Sequence, residues 1–201
     1  MVKGDTIKMD VNKVLIDYED EADIPLTEDR HKKVRYSVIN SGVGFIAKIT
    51  HDAVYHKPYM GKSCYVTSGL VNSFRCKSEN FDVIIGQPDG STIELYDETT
   101  LYLLVMNGKL GGGRLLLSPH ALLNDGLLDI TMQHGPAGLK EIAKYLKNCN
   151  VLKGAHIFKD NYGCFRGKWV KIVNKNLAQE PNTSSFDSDS FGIEEANKSA
   201  S

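Results

Sequence analysis

Asn107–Asp129 reads NGKLGGGRLLLSPHALLNDGLLD, and no other stretch of the 201 residues constrains the fold as much. Gly111–Gly113 come first, and a glycine run lets other groups approach the backbone closely. An apolar run follows, then Ser118-Pro119-His120-Ala121. Asn124-Asp125-Gly126 between apolar runs is turn chemistry. A carboxylate in such a turn has two uses. It can hold a hard cation with backbone carbonyls as co-ligands, or bond its own backbone two residues on. Both uses stay open for Asp125.

Outward from this stretch the chain reads as strand-rich. Residues 114–117 and 127–133 are strands flanking the turn. Residues 100–107, TLYLLVMN, form an apolar run buried on both faces. Residues 81–86 and 91–96 make a hairpin around Gln87-Pro88-Asp89-Gly90. There Pro presets one turn angle and Gly supplies positive φ. Residues 34–49 read as two strands joined by an Asn-Ser-Gly turn, and 6–17 as one strand or two short ones. Residues 18–33 are a charged loop.

Residues 51–62 and 63–75 read as helices, the second with Tyr65, Leu70, Val71 and Phe74 as apolar contacts. Residues 136–147 give the clearest helix. Pro136 suits its first turn, and Leu139, Ile142, Ala143 and Leu146 follow a helical stripe. Lys140, Lys144 and Lys147 form a modest basic, solvated face. Residues 162–173 supply one or two last strands, with Trp169 and Ile172 in the core. From Asn174 the chain turns Ser-, Asn- and acid-rich and reads as a mostly disordered tail, 174–201, with a short strand near 186–193. The fold class is α+β and strand-rich, a two-sheet β-sandwich with a few flanking helices.

Composition narrows the function. The formal net charge is −1, which gives no basic surplus for nucleic acid. Cys64, Cys76, Cys149 and Cys164 form no C-x-x-C pair. They read as reduced thiols in a cytoplasmic setting. The polar N-terminus is not a secretory signal, and no apolar run approaches the roughly 18–20 residues of a spanning helix. Work on a lipid would be done from the membrane surface.

The segment Leu103–Asp129 resembles the C-terminal lobe of the lipid kinase superfamily that includes diacylglycerol, sphingosine and ceramide kinases. The resembling residues are Asn107, Gly111–Gly113, Pro119-His120-Ala121 and Asn124–Asp129. Asn40-Ser41-Gly42-Val43-Gly44-Phe45-Ile46-Ala47 is similar to that family's N-x-x-x-G-F-x-A strand, and Lys153–Ile157 to its G-K-H-like element. Residues 4–11 resemble the strand leading into the lobe, so the likeness covers residues 4–173. The family's other lobe binds ATP through Gly-Gly-Asp-Gly-Thr. That pattern is absent here, and so is a Walker A pattern. The resemblance implies part of a longer or split kinase, or a solitary lobe.

The resemblance also implies site residues. The aspartate matching Asp125 holds a structural Mg²⁺ with backbone carbonyls, which map to Leu122 and Leu127. A glutamate in an Asp-Gly-Glu near the C-terminus acts on the acceptor hydroxyl. The nearest counterpart is Phe186–Gly192, where Asp189 stands in place of that glutamate as the catalytic candidate. Lys48 occupies a position that is aspartate in sphingosine and ceramide kinases. Like charge would repel a sphingoid ammonium, which favours a diacylglycerol-like substrate. His120 and His156 are isolated and read as structural. The implied cofactors are Mg²⁺ and ATP, the latter bound mainly by the absent lobe. The implied partners are a lipid substrate and a membrane surface, with the protein cytoplasmic or peripheral to membranes. The alternative is a non-catalytic lipid- or partner-binding module. A kinase of a soluble substrate is more distant, since NAD kinases share the two-lobe plan.

Overall fold

A computed structural model of the protein describes residues 6, 8–18, 21–24, 33–61, 63–75, 77–111, 115–135, 140, 142–143 and 154–176. The strands are β1 (Asn12–Leu15), β2 (Val34–Ser37), β3 (Asn40–Gly44), β4 (Glu79–Gly86), β5 (Thr92–Met106), β6 (Leu110–Gly111), β7 (Leu115–Leu116), β8 (Leu128–His134), β9 (Tyr162–Gly167) and β10 (Trp169–Asn174). Two helices, α1 (Phe45–Met60) and α2 (Ser63–Arg75), lie between β3 and β4. The expected strand-rich α+β class is borne out.

The main antiparallel sheet runs β10-β4-β5-β8-β9, and β3 also pairs with β5. β5 organises it. Its first half pairs with β4, from Thr92↔Gly86 to Thr100↔Glu79. Its second half pairs with β3 on that edge, from Tyr102↔Gly44 to Met106↔Asn40, and with β8 on the other. β3 and β4 therefore lie end to end along one edge of β5. The helical hairpin α1–α2 is an excursion between them.

Period-2 alternation sorts the β5 side chains into two cores. Tyr102, Leu104 and Met106 pack with Phe45 of α1, Leu117 and Ile142. Leu103 and Val105 pack with Phe81, Val83, Ile85, Ile130 and Met132. Each fully buried Leu of this kind contributes roughly 1.5–3 kcal/mol of transfer free energy. The sheet curls around the second core, and Phe165 of β9 and Val170 and Ile172 of β10 close it. Lys168, the residue between β9 and β10, donates its backbone N–H to the Gly86 carbonyl of β4 at 2.8 Å.

Several boundaries differ from the sequence reading. Asn40-Ser41-Gly42 lies inside β3 rather than in a turn, and the bend falls at Val38-Ile39. The strand expected to continue to residue 49 stops at Gly44, and α1 begins there. Gly44 has φ +76°, and a Cβ on it would sit 2.7 Å from the Leu101 carbonyl oxygen. Only glycine turns the chain out of the sheet at that point. The segments 91–96 and 100–107 are one continuous strand. A bulge and Asp97 at φ +54° let the strand pass through the expected break. The backbone N–H of Asp97 bonds Asp82 Oδ1 at 2.8 Å and steadies that conformation. Trp169, expected in the core, is 49% exposed and lies across Gly86, whose missing Cβ makes room for the indole. Leu70, Val71 and Phe74 of α2 also face solvent. Of the helix expected at 136–147, Lys140, Ile142 and Ala143 are helical and Ile142 is buried; the rest lies outside the described residues.

Candidate functional site

The loop joining β7 to β8 carries Ser118–Leu127, and three contacts fix its place. Ala121 is buried and its N–H closes a turn onto the Ser118 carbonyl at 3.2 Å. Gly154, at φ +90°, packs against Pro119, since a Cβ there would lie 2.5 Å from the proline ring. Gly154 and Pro119 belong to two separated pieces of the resemblance, and the fold brings them together.

The third contact runs through the fully buried Asn107. Its Nδ2 donates to the Asp10 carbonyl at 2.7 Å and to the Val38 carbonyl at 3.0 Å. Its backbone N–H donates to the Ile39 carbonyl at 2.8 Å. Both side-chain acceptors are carbonyls, so the amide orientation is dictated, and Oδ1 is left buried without a partner. Asp10 extends the clamp to the carboxylate loop. Its N–H bonds the Leu123 carbonyl and its Oδ2 accepts the Gly126 N–H, both at 2.7 Å.

Asp125 sits in this loop as the turn chemistry requires. Its Oδ1 accepts the Leu127 N–H at 3.2 Å, and its Oδ2 accepts from Arg166 Nη2. Arg166 reaches over from β9, where it is the cross-strand partner of Asp129 in β8. Its Nε lies 3.1 Å from Asp129 Oδ1. That approach is an ion pair by distance but not an aligned hydrogen bond, since Nε lacks a hydrogen-bond partner; Asp129 Oδ2 is buried without one as well. Burial holds the Asp129 carboxyl above the ordinary aspartate range. Arg166 opposes that shift, the Asp125 charge adds to it, and a nearby His120 opposes it weakly.

Asp10, Asp125 and Asp129 thus border one loop, with Arg166 as the guanidinium that answers two of them. Among the described residues no three His, Cys, Asp or Glu side chains converge as a metal cluster. A cation here would depend on carbonyl oxygens. The donor set of the Asp125 carboxylate with the Leu122 and Leu127 carbonyls has the hardness that Mg²⁺ or Ca²⁺ requires. The orphaned Asp129 oxygen and the acidic excess fit an added positive charge. The Arg166 contact means that a cation would share or displace that partner.

Lys48, expected at a strand end, lies in α1 and ion-pairs with Glu79 of β4. That pairing mutes the like-charge repulsion expected of it. His120 is an exposed loop residue. The side chain of His156 and the whole of Asp189 lie outside the described residues. Cys64 and Cys164 are free thiols. Reasoning from sequence missed Asp10, Asp129 and Arg166. A lone acid in the apolar run Leu127–Met132 was the available signal for Asp129.

Beside the loop opens an apolar cleft of about 830 Å³. Val14, Tyr36, Val38, Ile39 and Leu110 line it, with Arg35 as a cation among them. Its wall is tied to the carboxylate loop, because Asn107 holds Val38, Ile39 and Asp10 at once. No helix among the described residues is long and apolar enough to cross a membrane.

No curated protein matches the chain. Solved structures similar to it include two from Bacillus anthracis str. Sterne assigned by name as diacylglycerol kinases. One is 18% identical at a TM-score of 0.45, over 70% of this chain and 43% of its own. The other is 15% identical at a TM-score of 0.38, over 70% and 40%. The chain spans less than half the length of either. The family model described as the YegS C-terminal NAD kinase beta sandwich-like domain matches residues 37–189. That match takes in β3 through β10, Asn107 and the carboxylate loop. It covers well over half of the chain, which therefore belongs to the YegS C-terminal NAD kinase beta sandwich-like domain family.

Proposed function

We propose that this diacylglycerol kinase-like domain is the substrate-side lobe of an ATP-dependent lipid kinase. The transferred group is the γ-phosphoryl of ATP, and the acceptor is a lipid hydroxyl of the diacylglycerol type. One observation carries this reading: an apolar cleft and a carboxylate loop are locked together through Asn107 in a domain of the YegS C-terminal family. The cleft suits acyl chains. The loop suits the polar end, where charge must be managed during phosphoryl transfer.

In this reading a divalent cation at Asp125, Leu122 and Leu127 stiffens the loop. Bound there, it would supply fixed positive charge and no redox chemistry. Asp189 is the group proposed to position the acceptor hydroxyl. The nucleotide phosphates are held elsewhere, since no Gly-Gly-Asp-Gly occurs in the 201 residues. With Lys48 paired to Glu79, preference for a diacylglycerol rests on the apolar lining of the cleft and on its cation Arg35 rather than on Lys48.

The experiment supplies ATP, Mg²⁺ and diacylglycerol in mixed micelles and follows phosphatidate. It is run on the 201 residues alone and on the longest product of the gene. Phosphatidate from the longer product, lost on Asp189→Asn, supports the reading. Phosphatidate from neither sinks it. The second reading, a lipid-binding module without chemistry, is favoured by the lack of a Gly-Gly-Asp-Gly or Walker A pattern in the 201 residues. It predicts saturable diacylglycerol binding without product.

A further inference from the structure

Helix α2 is built inside out. Thr67, Leu70, Val71 and Phe74 fall at i, i+3, i+4 and i+7, the spacing of a core-facing stripe. Yet Leu70 is 58% and Phe74 72% exposed, while Cys64, Ser68 and Ser73 are buried. The end of α1, which α2 follows after Gly61 and Lys62, is exposed as well. Every residue from Val54 to Met60 is exposed, and Tyr59 reaches 89%. Exposed apolar residues grouped in this way mark a contact surface rather than ordinary scatter.

Charge indicates what the surface contacts. From Ala53 to Ser78 there is no Asp or Glu, whereas Lys57, Lys62, Arg75 and Lys77 all fall there. The chain as a whole is at −1, so this segment stands apart. The acids at its borders are already engaged. Asp52 accepts from Asn72 Nδ2 at 2.7 Å and meets His51 at 3.3 Å. Glu79 holds Lys48 and accepts from Asn174 Nδ2 at 2.9 Å. An exposed apolar stripe in a segment that holds tyrosines and lysines and no acid complements the headgroup layer of an anionic bilayer. Phenol rings settle at that depth, and lysines are drawn to the surface potential.

We propose that the α1–α2 hairpin is a membrane-docking element. It lays Leu70, Val71, Phe74 and Tyr59 into the headgroup region of an anionic phospholipid surface, with Lys57 at the phosphates. The hairpin can do this without disturbing the sheet, because it is an excursion whose two ends sit side by side along β5. Docking at this surface is independent of which lipid, if any, the cleft binds.

The test uses the full chain and vesicles of phosphatidylcholine with or without phosphatidylserine. The sole native tryptophan, Trp169, lies on β10, so a Tyr59→Trp variant adds a reporter on the hairpin. Its emission is expected to shift blue on phosphatidylserine-containing vesicles, after subtraction of the wild-type signal. In co-sedimentation, Lys57→Glu should weaken partitioning roughly twentyfold, because two charge units change near an anionic surface. Lys159→Glu, an equal charge change on an exposed residue elsewhere, should leave it unchanged. Phe74→Ser should weaken partitioning about tenfold, from the lost burial of an aromatic ring. Circular dichroism confirms that each variant is folded. Equal losses for Lys57→Glu and Lys159→Glu overturn the proposal, as does absence of vesicle binding. A reporter shift that grows with protein concentration and needs no vesicles overturns it in favour of a second copy. A shift without vesicles that vanishes on deletion of residues 177–201 overturns it in favour of the chain's own acidic tail.

Discussion

Arg166 and Asp129 face each other across the β8–β9 ladder, with Nε 3.1 Å from Oδ1, and the same guanidinium also reaches Asp125. The strand pair thereby anchors the loop that carries the candidate cation site. Arg166→Ala should leave the buried Asp129 carboxylate without a cation. Removing one partner of a fully buried pair costs about 3–5 kcal/mol, and the 40% exposure of Arg166 lowers that to roughly 2–3 kcal/mol. Urea denaturation measures the loss. Adding Asp129→Asn should recover part of it, and a double-mutant cycle with no coupling would show that the two residues act independently.

Asp129 also makes stability depend on pH. Its folded-state pKa is raised, first by burial. The neutral carboxyl is therefore the form that the fold favours. Its contribution is fully present below about pH 3.9, the unfolded value, and is lost as pH rises through the folded pKa. Wild type and Asp129→Asn should be closest in urea midpoint at low pH. Asn should gain on wild type as pH increases above about 4. A constant difference across that range would refute the assignment.

Asp52 predicts the opposite sign. Its pKa is lowered, first by the hydrogen bond from Asn72 across the helical hairpin and then by His51. That contribution is present above about pH 3.9 and is lost as pH falls through the depressed folded value. Asn72→Ala should therefore flatten the acid limb of hairpin stability, read by amide exchange in α1 and α2. An unchanged acid limb would mean the Asp52–Asn72 bond contributes nothing.

Two glycines with positive φ should respond differently to alanine. Gly61 has φ +54° with ψ −132° and open space around a Cβ, so Gly61→Ala should cost only the conformational term of roughly 1–3 kcal/mol. Gly44→Ala adds a collision with the Leu101 carbonyl at 2.7 Å. It should cost at least about 3 kcal/mol, or prevent folding. Equal melting temperatures for the two variants would show that the strand-to-helix exit is not set at Gly44.

Asn107→Ala removes both donors that hold Asp10 and Val38. Two part-buried carbonyls then lose a partner, at roughly 1–2 kcal/mol in total. The loss should fall on the N-terminal segment and the carboxylate loop together, seen as faster amide exchange at Gly126 and Asp10. Protection unchanged at those amides would break the proposed link between cleft and loop.

The sequence carried the family and the strand-rich class because they depend on local chemistry: the glycine run, Pro119, and the Asn-Asp-Gly turn. It did not carry what depends on pairing at a distance. Asp129 and Arg166 are 37 residues apart in sequence, and only the β8–β9 register makes them neighbours. The exit at Gly44 depends on a backbone angle that a glycine permits but does not announce. The Thr67–Phe74 stripe had core periodicity, yet periodicity says that one face is apolar and not what covers it. The turn at Asp125 was legible and is formed, with Leu127 as its backbone partner. Whether a cation joins it is testable by calorimetry with Mg²⁺ or Ca²⁺ on wild type and Asp125→Asn. Heat of binding lost in the variant is expected.

The most direct measurement offers the gene's longest product labelled ATP and Mg²⁺ with diacylglycerol, sphingosine and NAD in competition. It then reads where the label goes. Label in phosphatidate, reduced by Asp125→Asn, is the predicted result. Label in NADP or in sphingosine phosphate, with none in phosphatidate, would contradict the assignment of this lobe to a diacylglycerol-type acceptor.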